Sequence, residues 1–155
     1  MNKIRLEKVK ALATKLHSGQ KRKDGADYIT HPIAVAEIAK KKKIDFFGYE
    51  QELLLAICYL HDVLEYCDVT EKQLKSELKK LNYKDEDVDL IVENVGYLTR
   101  MIKNEDIVGY LEQINSNLYS IWVKICDLEH NMSDLEPSNL LDKYKLFYYI
   151  LTKHC

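Results

Sequence analysis

His61 and Asp62 stand side by side at the end of the apolar run "LLLAICYL", and Glu65 follows one turn later. On an α-helix that spacing puts Glu65 over the same face as His61 and within reach of Asp62. A further acid, Asp127, closes the apolar run in "WVKICDLEHNM", with His130 and Asn131 one turn on. A carboxylate buried without a partner is costly, so two acids at the ends of apolar helices are expected to share a cation. His31 precedes Pro32 at a helix start, where an imidazole can project inward from a stiff backbone. Two imidazoles and two carboxylates make a mixed N/O donor set. It suits Mn²⁺ or Fe²⁺ with room left for waters, and it could also hold Zn²⁺. Such an ion would polarise a phosphoryl oxygen, acidify a water and orient a leaving group, with Glu65 free to position or deprotonate that water. The same residues admit a plainer reading. A His-Asp dipeptide also fits a capped helix end or a surface ion pair, and Asp62 and Asp127 could pair with Lys or Arg. His17, His130 and His154 lack a comparable context and read as structural or surface residues, although His130 could equally donate to a ligand from behind.

The elements that must carry these groups are helical almost throughout. Leu6, Val9, Leu12, Ala13 and Leu16 recur at three- and four-residue spacing and predict a first amphipathic helix. The segment "SGQKRKDGADYITHP" breaks the period with two glycines. A second helix starts at its end, with Thr30 or His31 near the cap and Pro32 in the first turn. Leu53 to Glu65 is apolar on nearly every side at first, which predicts a central, buried helix. Thr70-x-x-Gln73 is a capping box opening a fourth helix carried by Leu74, Leu78 and Leu81. Further helices are predicted around Val88–Val95, Ile107–Ile114 and Leu118–Ile125, the last running toward Asp127, and a final one after Pro137 through Leu151. No run alternates at strand length, and no repeat, low-complexity tract or glycine-rich phosphate loop is present. The expectation is one all-α domain spanning residues 1–155.

Composition excludes several partners. With 23 Lys+Arg against 25 Asp+Glu, the chain has no global attraction to nucleic acid or an anionic membrane. Lys40 to Lys43 read as a solvated helix end favoured by the macrodipole. The opening "MNKIRLEKVKALATKL" has no apolar core of signal-peptide length, and no segment approaches a membrane span. Cys58, Cys67, Cys126 and Cys155 form no CxxC pair. Cys58 and Cys126 sit in apolar runs and read as small core residues, so a reducing cytoplasm is expected and a zinc knuckle is not. Tyr144, Tyr148 and Tyr149 on the last helix could face a partner subunit, but read more simply as the outer edge of a core.

Three motifs in order, "LHSGQKRKDGADYITHP", "YLHDVLE" and "VKICDLEHNM", resemble the HD-domain hydrolases of the RelA/SpoT type, in particular their small stand-alone (p)ppGpp hydrolases. The likeness runs from about Leu6 to Leu135. It implies an all-α HD-type bundle around one metal, usually Mn²⁺, with His31, His61, Asp62 and Asp127 as ligands. It further implies that Arg22 and Lys23 hold the guanine nucleotide and its phosphates, that Asn131 lines the nucleotide pocket, and that Tyr28 shapes the wall near His31. The implied reaction is removal of the 3′-pyrophosphate from ppGpp or pppGpp, by a chain carrying the hydrolase alone.

One position departs from the family pattern. The resemblance calls for Glu-Asp after "HDVL", and this chain has Glu65-Tyr66. A phenol is no base at neutral pH unless its pKa is strongly lowered, but it can donate a hydrogen bond. Asp68, two residues on, is turned to another side. The substitution leaves two alternatives beside the alarmone hydrolase: an HD hydrolase of another nucleotide or phosphoester, or a nucleotide-binding regulatory module with weakened catalysis.

Overall fold

A computed structural model describes residues 1–42, 44–100, 106–133 and 135–153. Lys43, His154 and Cys155 from the expectations above lie outside them. The described residues form nine helices and one isolated bridge, Lys21 with Asp27. The all-α expectation holds.

The helices begin where the sequence offers caps. α1 (Lys3–Leu16) is capped by Asn2, whose side chain accepts from the Arg5 amide. α2 (Thr30–Lys41) enters with Pro32 in its first turn and no side-chain cap. α3 (Tyr49–Leu60) buries every residue from Glu52 to Leu60. It packs against α1, α2, α6 and α8, as a helix apolar on all sides must. Each fully buried Leu there contributes roughly 1.5–3 kcal/mol relative to exposure.

The predicted helix through Glu65 is in fact two. α3 stops at Leu60, and α4 (Val63–Tyr66) starts afresh after Asp62. The His61 ring nitrogen Nδ1 takes the Cys58 carbonyl at 2.8 Å, the oxygen that a continuing helix offers to the Asp62 amide. The Asp62 carbonyl then accepts from the Glu65 and Tyr66 amides and opens the next turn. His61 and Asp62 occupy this break, and both keep right-handed helical dihedrals.

α5 (Glu71–Lys80) carries the expected Thr70–Gln73 capping box. α6 (Asp85–Leu98) opens with Asp85, Glu86 and Asp87 at the positive end of its dipole. α7 (Ile107–Ile114), α8 (Leu118–Met132) and α9 (Asn139–Thr152) are capped by Asp106, Asn117 and Ser138. Two apolar clusters result. The larger surrounds α3, and the smaller joins α7, α8 and α9 through Tyr110, Ile114, Ile125, Leu128, Phe147 and Leu151. α8 serves both: Val123 and Cys126 face the first, Ile121, Ile125 and Leu128 the second. Cys58 and Cys126 are core residues, as expected. Tyr144 and Tyr148 pack against the smaller cluster, while Tyr149 is exposed.

At the far end of α3 lies a charged pair that the sequence did not signal. The Glu52 carboxylate is fully buried and receives Arg5 Nε at 2.6 Å and the Asn2 amide at 2.5 Å. The Arg5 guanidinium sits over the Tyr83 ring at 4.2 Å. Removing one partner of a buried pair strands the other charge. Arg5→Ala is therefore expected to lower the unfolding free energy by about 3–5 kcal/mol, read as a fall in the urea midpoint at unchanged slope. A midpoint equal to that of the wild type would show that Glu52 is satisfied without Arg5.

Candidate metal centre

Three separate stretches of chain converge at one point. His31 lies in the first turn of α2, His61 and Asp62 at the break after α3, and Asp127 on α8. One donor atom each from buried His31, His61 and Asp127 fall within 4.8 Å of one another. His31 Nε2 is 3.1 Å from Asp127 Oδ1 and 3.5 Å from Asp62 Oδ2. His61 Nε2 is 3.2 Å from Asp62 Oδ2 and 3.8 Å from Asp127 Oδ1. The four residues singled out in the sequence therefore share one centre.

The hydrogen bonds prepare these atoms for a cation. Because a carbonyl only accepts, the His61 Nδ1 that meets Cys58 O carries the proton in the neutral ring, and Nε2 presents a lone pair. That Nε2 is buried and has no hydrogen-bond partner. A lone pair facing two carboxylates is an arrangement that a divalent ion satisfies and a proton-free site does not. His31 Nδ1 is 2.8 Å from His130 Nδ1, so His130 backs His31 from outside the centre. Tyr28 donates its hydroxyl to Asp62 Oδ2 at 2.7 Å, and Asn131 donates its amide to Asp127 Oδ1 at 2.6 Å. Asp127 does pair with a lysine, Lys124 at 2.8 Å, but through Oδ2, which leaves Oδ1 toward the imidazoles. The donor set thus fits a divalent metal.

The electrostatics reflect the same convergence. Burial would lower the His61 pKa, yet the Asp62 and Asp127 charges push it up to about 9. Burial opposes ionisation of Asp62, but His61 and then His31 bring it down to about 2. Asp127 is likewise held well below the carboxylate range, against its burial, by Lys124 and the two imidazoles. Without an ion, a protonated imidazole supplies the positive charge that these acids require.

A cavity of about 210 Å³ opens over the centre, and Arg22, Glu65, Tyr66, Arg100, Lys124 and Asn131 reach it. It adjoins an outer recess of about 510 Å³, with which it shares Arg22, Tyr28, Asn131 and Tyr144. Lys23 lines only that outer recess, one step removed from the metal residues. A larger groove of about 850 Å³ runs between α5 and α6, but none of the converging titratable groups faces it. Glu65 Oε2 accepts the Arg100 amide at 3.0 Å, which fixes its carboxylate at the cavity edge. Tyr66 is 51% exposed, with its ring 5.5 Å from that of Tyr28. Burial and the adjacent Glu65 carboxylate both push the Tyr66 phenol pKa up, away from any role as a base. Asp68 lies beyond α4, exposed and outside the cavity lining.

Sequence reasoning missed Lys124 and Arg100. Lys124 had a signal, since it sits one turn before Asp127 on the same helix face. Arg100 had none, because it meets Glu65 across 35 residues of chain. His17 was read as structural. It is buried, stacks on Tyr28 at 4.8 Å and bonds Gln20 at 2.8 Å, and so braces the ring that holds Asp62.

Comparison with known proteins places this centre in a family. The HD domain profile matches residues 28–132, a span that includes all four converging residues. The chain is 31% identical over 131 residues to a guanosine-3′,5′-bis(diphosphate) 3′-pyrophosphohydrolase of Haemophilus influenzae, covering 80% of this chain and 18% of the relative. It is 30% identical to the protein of the same description from Borreliella burgdorferi, covering 85% of this chain and 19% of the relative. It is also 30% identical to the bifunctional (p)ppGpp synthase/hydrolase SpoT of Escherichia coli, covering 84% and 18%. The chain thus spans less than a fifth of the length of these curated relatives. A solved structure described as a metazoan ortholog of SpoT that hydrolyzes ppGpp superposes with a TM-score of 0.72. That match covers 99% of this chain and 86% of the other at 20% identity, a likeness of fold. With its helical bundle, its His-Asp centre and a profile match over most of its length, the chain belongs to the HD domain family.

Proposed function

We propose that residues 1–155 form one HD phosphohydrolase domain that removes the 3′-pyrophosphate from ppGpp or pppGpp in the cytoplasm, with Mn²⁺ bound by His31, His61, Asp62 and Asp127. The observation that carries this reading is the buried, unpartnered His61 Nε2 facing two carboxylates, beside a cavity that Arg22, Arg100 and Lys124 make cationic. The donor chemistry also admits Fe²⁺ or Zn²⁺. A divalent ion there supplies Lewis acidity toward a phosphoryl oxygen and a more acidic water.

The rest of the work falls to the chain. Glu65, held by the Arg100 amide, takes the proton from the attacking water. Arg100 and Lys124 offset charge on the phosphoryl oxygens at the inner end, where little water screens them. Arg22 and Lys23 border the outer recess and receive the nucleotide, with Asn131 between the two spaces. Tyr28 keeps the Asp62 carboxylate turned inward.

The test is purified protein with Mn²⁺ and ppGpp, scored for pyrophosphate and GDP. Release of both products supports the proposal. Hydrolysis of a different phosphoester with none of ppGpp would replace the substrate. Binding of ppGpp without turnover would favour a regulatory module, the reading that Tyr66 in place of an acid keeps in play.

A further inference from the structure

We propose that Tyr66 is the proton donor to the ribose 3′ oxygen as it departs, working as an acid–base pair with Glu65, an assignment that rests on the reaction proposed above. The residue arises from this chain's own departure at the Glu65-Tyr66 pair, and the structure gives it a place. Tyr66 lines the cavity over the metal centre together with Glu65, Arg100 and Lys124. Its backbone is fixed on both sides: the Tyr66 amide donates to the Asp62 carbonyl at 3.0 Å, and Gln20 Nε2 donates to the Tyr66 carbonyl at 2.6 Å. The tilted Tyr28 ring, at 48°, limits where its own ring can turn.

The neighbouring tyrosine hydroxyls are committed elsewhere. The Tyr28 hydroxyl serves Asp62, and the Tyr110 hydroxyl serves the Leu98 carbonyl at 2.9 Å. Lys124 serves Asp127, and Asn131 the same carboxylate. The Tyr66 hydroxyl neighbours the Glu65 carboxylate, and both side chains line the cavity over the metal centre. A carboxyl group at this position is ionised at neutral pH and has no proton to give, whereas a phenol keeps its own.

The step balances. Water oxygen bonds to phosphorus as the bond from phosphorus to the 3′ oxygen breaks. One water proton passes to Glu65. The departing oxygen takes the Tyr66 proton and becomes the 3′ hydroxyl. Glu65 then returns its proton to the adjacent Tyr66 oxygen, and both groups are restored with one water consumed.

The experiment compares Tyr66→Phe with the wild type on ppGpp and on an analogue with sulfur replacing the bridging 3′ oxygen, since a thiolate leaves without needing a proton. The variant is expected to lose about 100-fold in kcat on ppGpp, with KM within about twofold, and to cleave the sulfur analogue within about threefold of the wild type. Affinity for ppGpp without divalent ion, by calorimetry, is expected to be unchanged. Equal losses on both substrates, or a loss of affinity as large as the loss of turnover, would reduce Tyr66 to a binding residue and overturn the assignment. Full activity of Tyr66→Phe on ppGpp overturns it too, and leaves the proposed reaction standing. Absence of any pyrophosphate release by the wild type overturns the reaction and the assignment together.

Discussion

His61→Ala is expected to abolish the thermal protection that Mn²⁺ gives the wild-type protein. An ion that binds only the folded chain stabilises it by about 2.7 kcal/mol at a concentration of about 100 times Kd. For a domain of this size that is roughly 5–10 °C in Tm. His61 is the most exacting member of the set, because its Nδ1 is anchored on Cys58 O and its Nε2 is thereby aimed at the Asp62 and Asp127 carboxylates. Alanine removes that donor and leaves Asp62 and Asp127 facing His31 alone. Differential scanning fluorimetry with and without Mn²⁺ reads the result directly. A shift in His61→Ala as large as in the wild type would remove His61 from the ion's ligands, whatever its effect on activity.

Glu65→Gln carries the next largest effect, a fall in kcat of about 10²–10⁴-fold. The substitution is chosen because the amide oxygen can still accept the Arg100 amide that Glu65 Oε2 receives at 3.0 Å. Cavity shape and the α4 turn are thereby kept, and what disappears is the group able to take a proton. Mn²⁺ protection in this variant should match the wild type, since Glu65 is not among the converging donors. Turnover within about threefold of the wild type would exclude Glu65 as the base. Lost protection would instead mean that the residue helps hold the ion.

Much of this molecule is legible in its sequence, for reasons that differ by element. α5 and α6 follow from local rules: a reciprocal cap at Thr70 and Gln73, and apolar residues at helical spacing through Val88, Ile91, Val92 and Val95. The metal candidates were visible because acids and imidazoles at the ends of apolar runs conflict with burial unless something satisfies them. The break between α3 and α4 was not visible, because the period of "LLLAICYLHDVLE" continues unbroken through it. The bond that ends the helix is a side chain reaching its own backbone, which no apolar pattern records. Arg100 and the pairing of Arg5 with Glu52 escaped for another reason. Contacts between residues 35 and 47 positions apart exist only after the helices have docked.

The buried pair at the start of α3 bears on the other end of the same helix. A rod that is apolar on every face can turn about its axis and still bury nearly the same surface, so packing alone fixes its azimuth weakly. Polar groups that tolerate only one partner geometry fix it well. These are Glu52 on α3, tied to Arg5 and Asn2, and His61, which directly follows α3, nine residues on and about 13 Å along the axis. The Arg5 clamp is therefore a rotational stop: it sets the angle at which the helix presents His61, far from any ligand it touches.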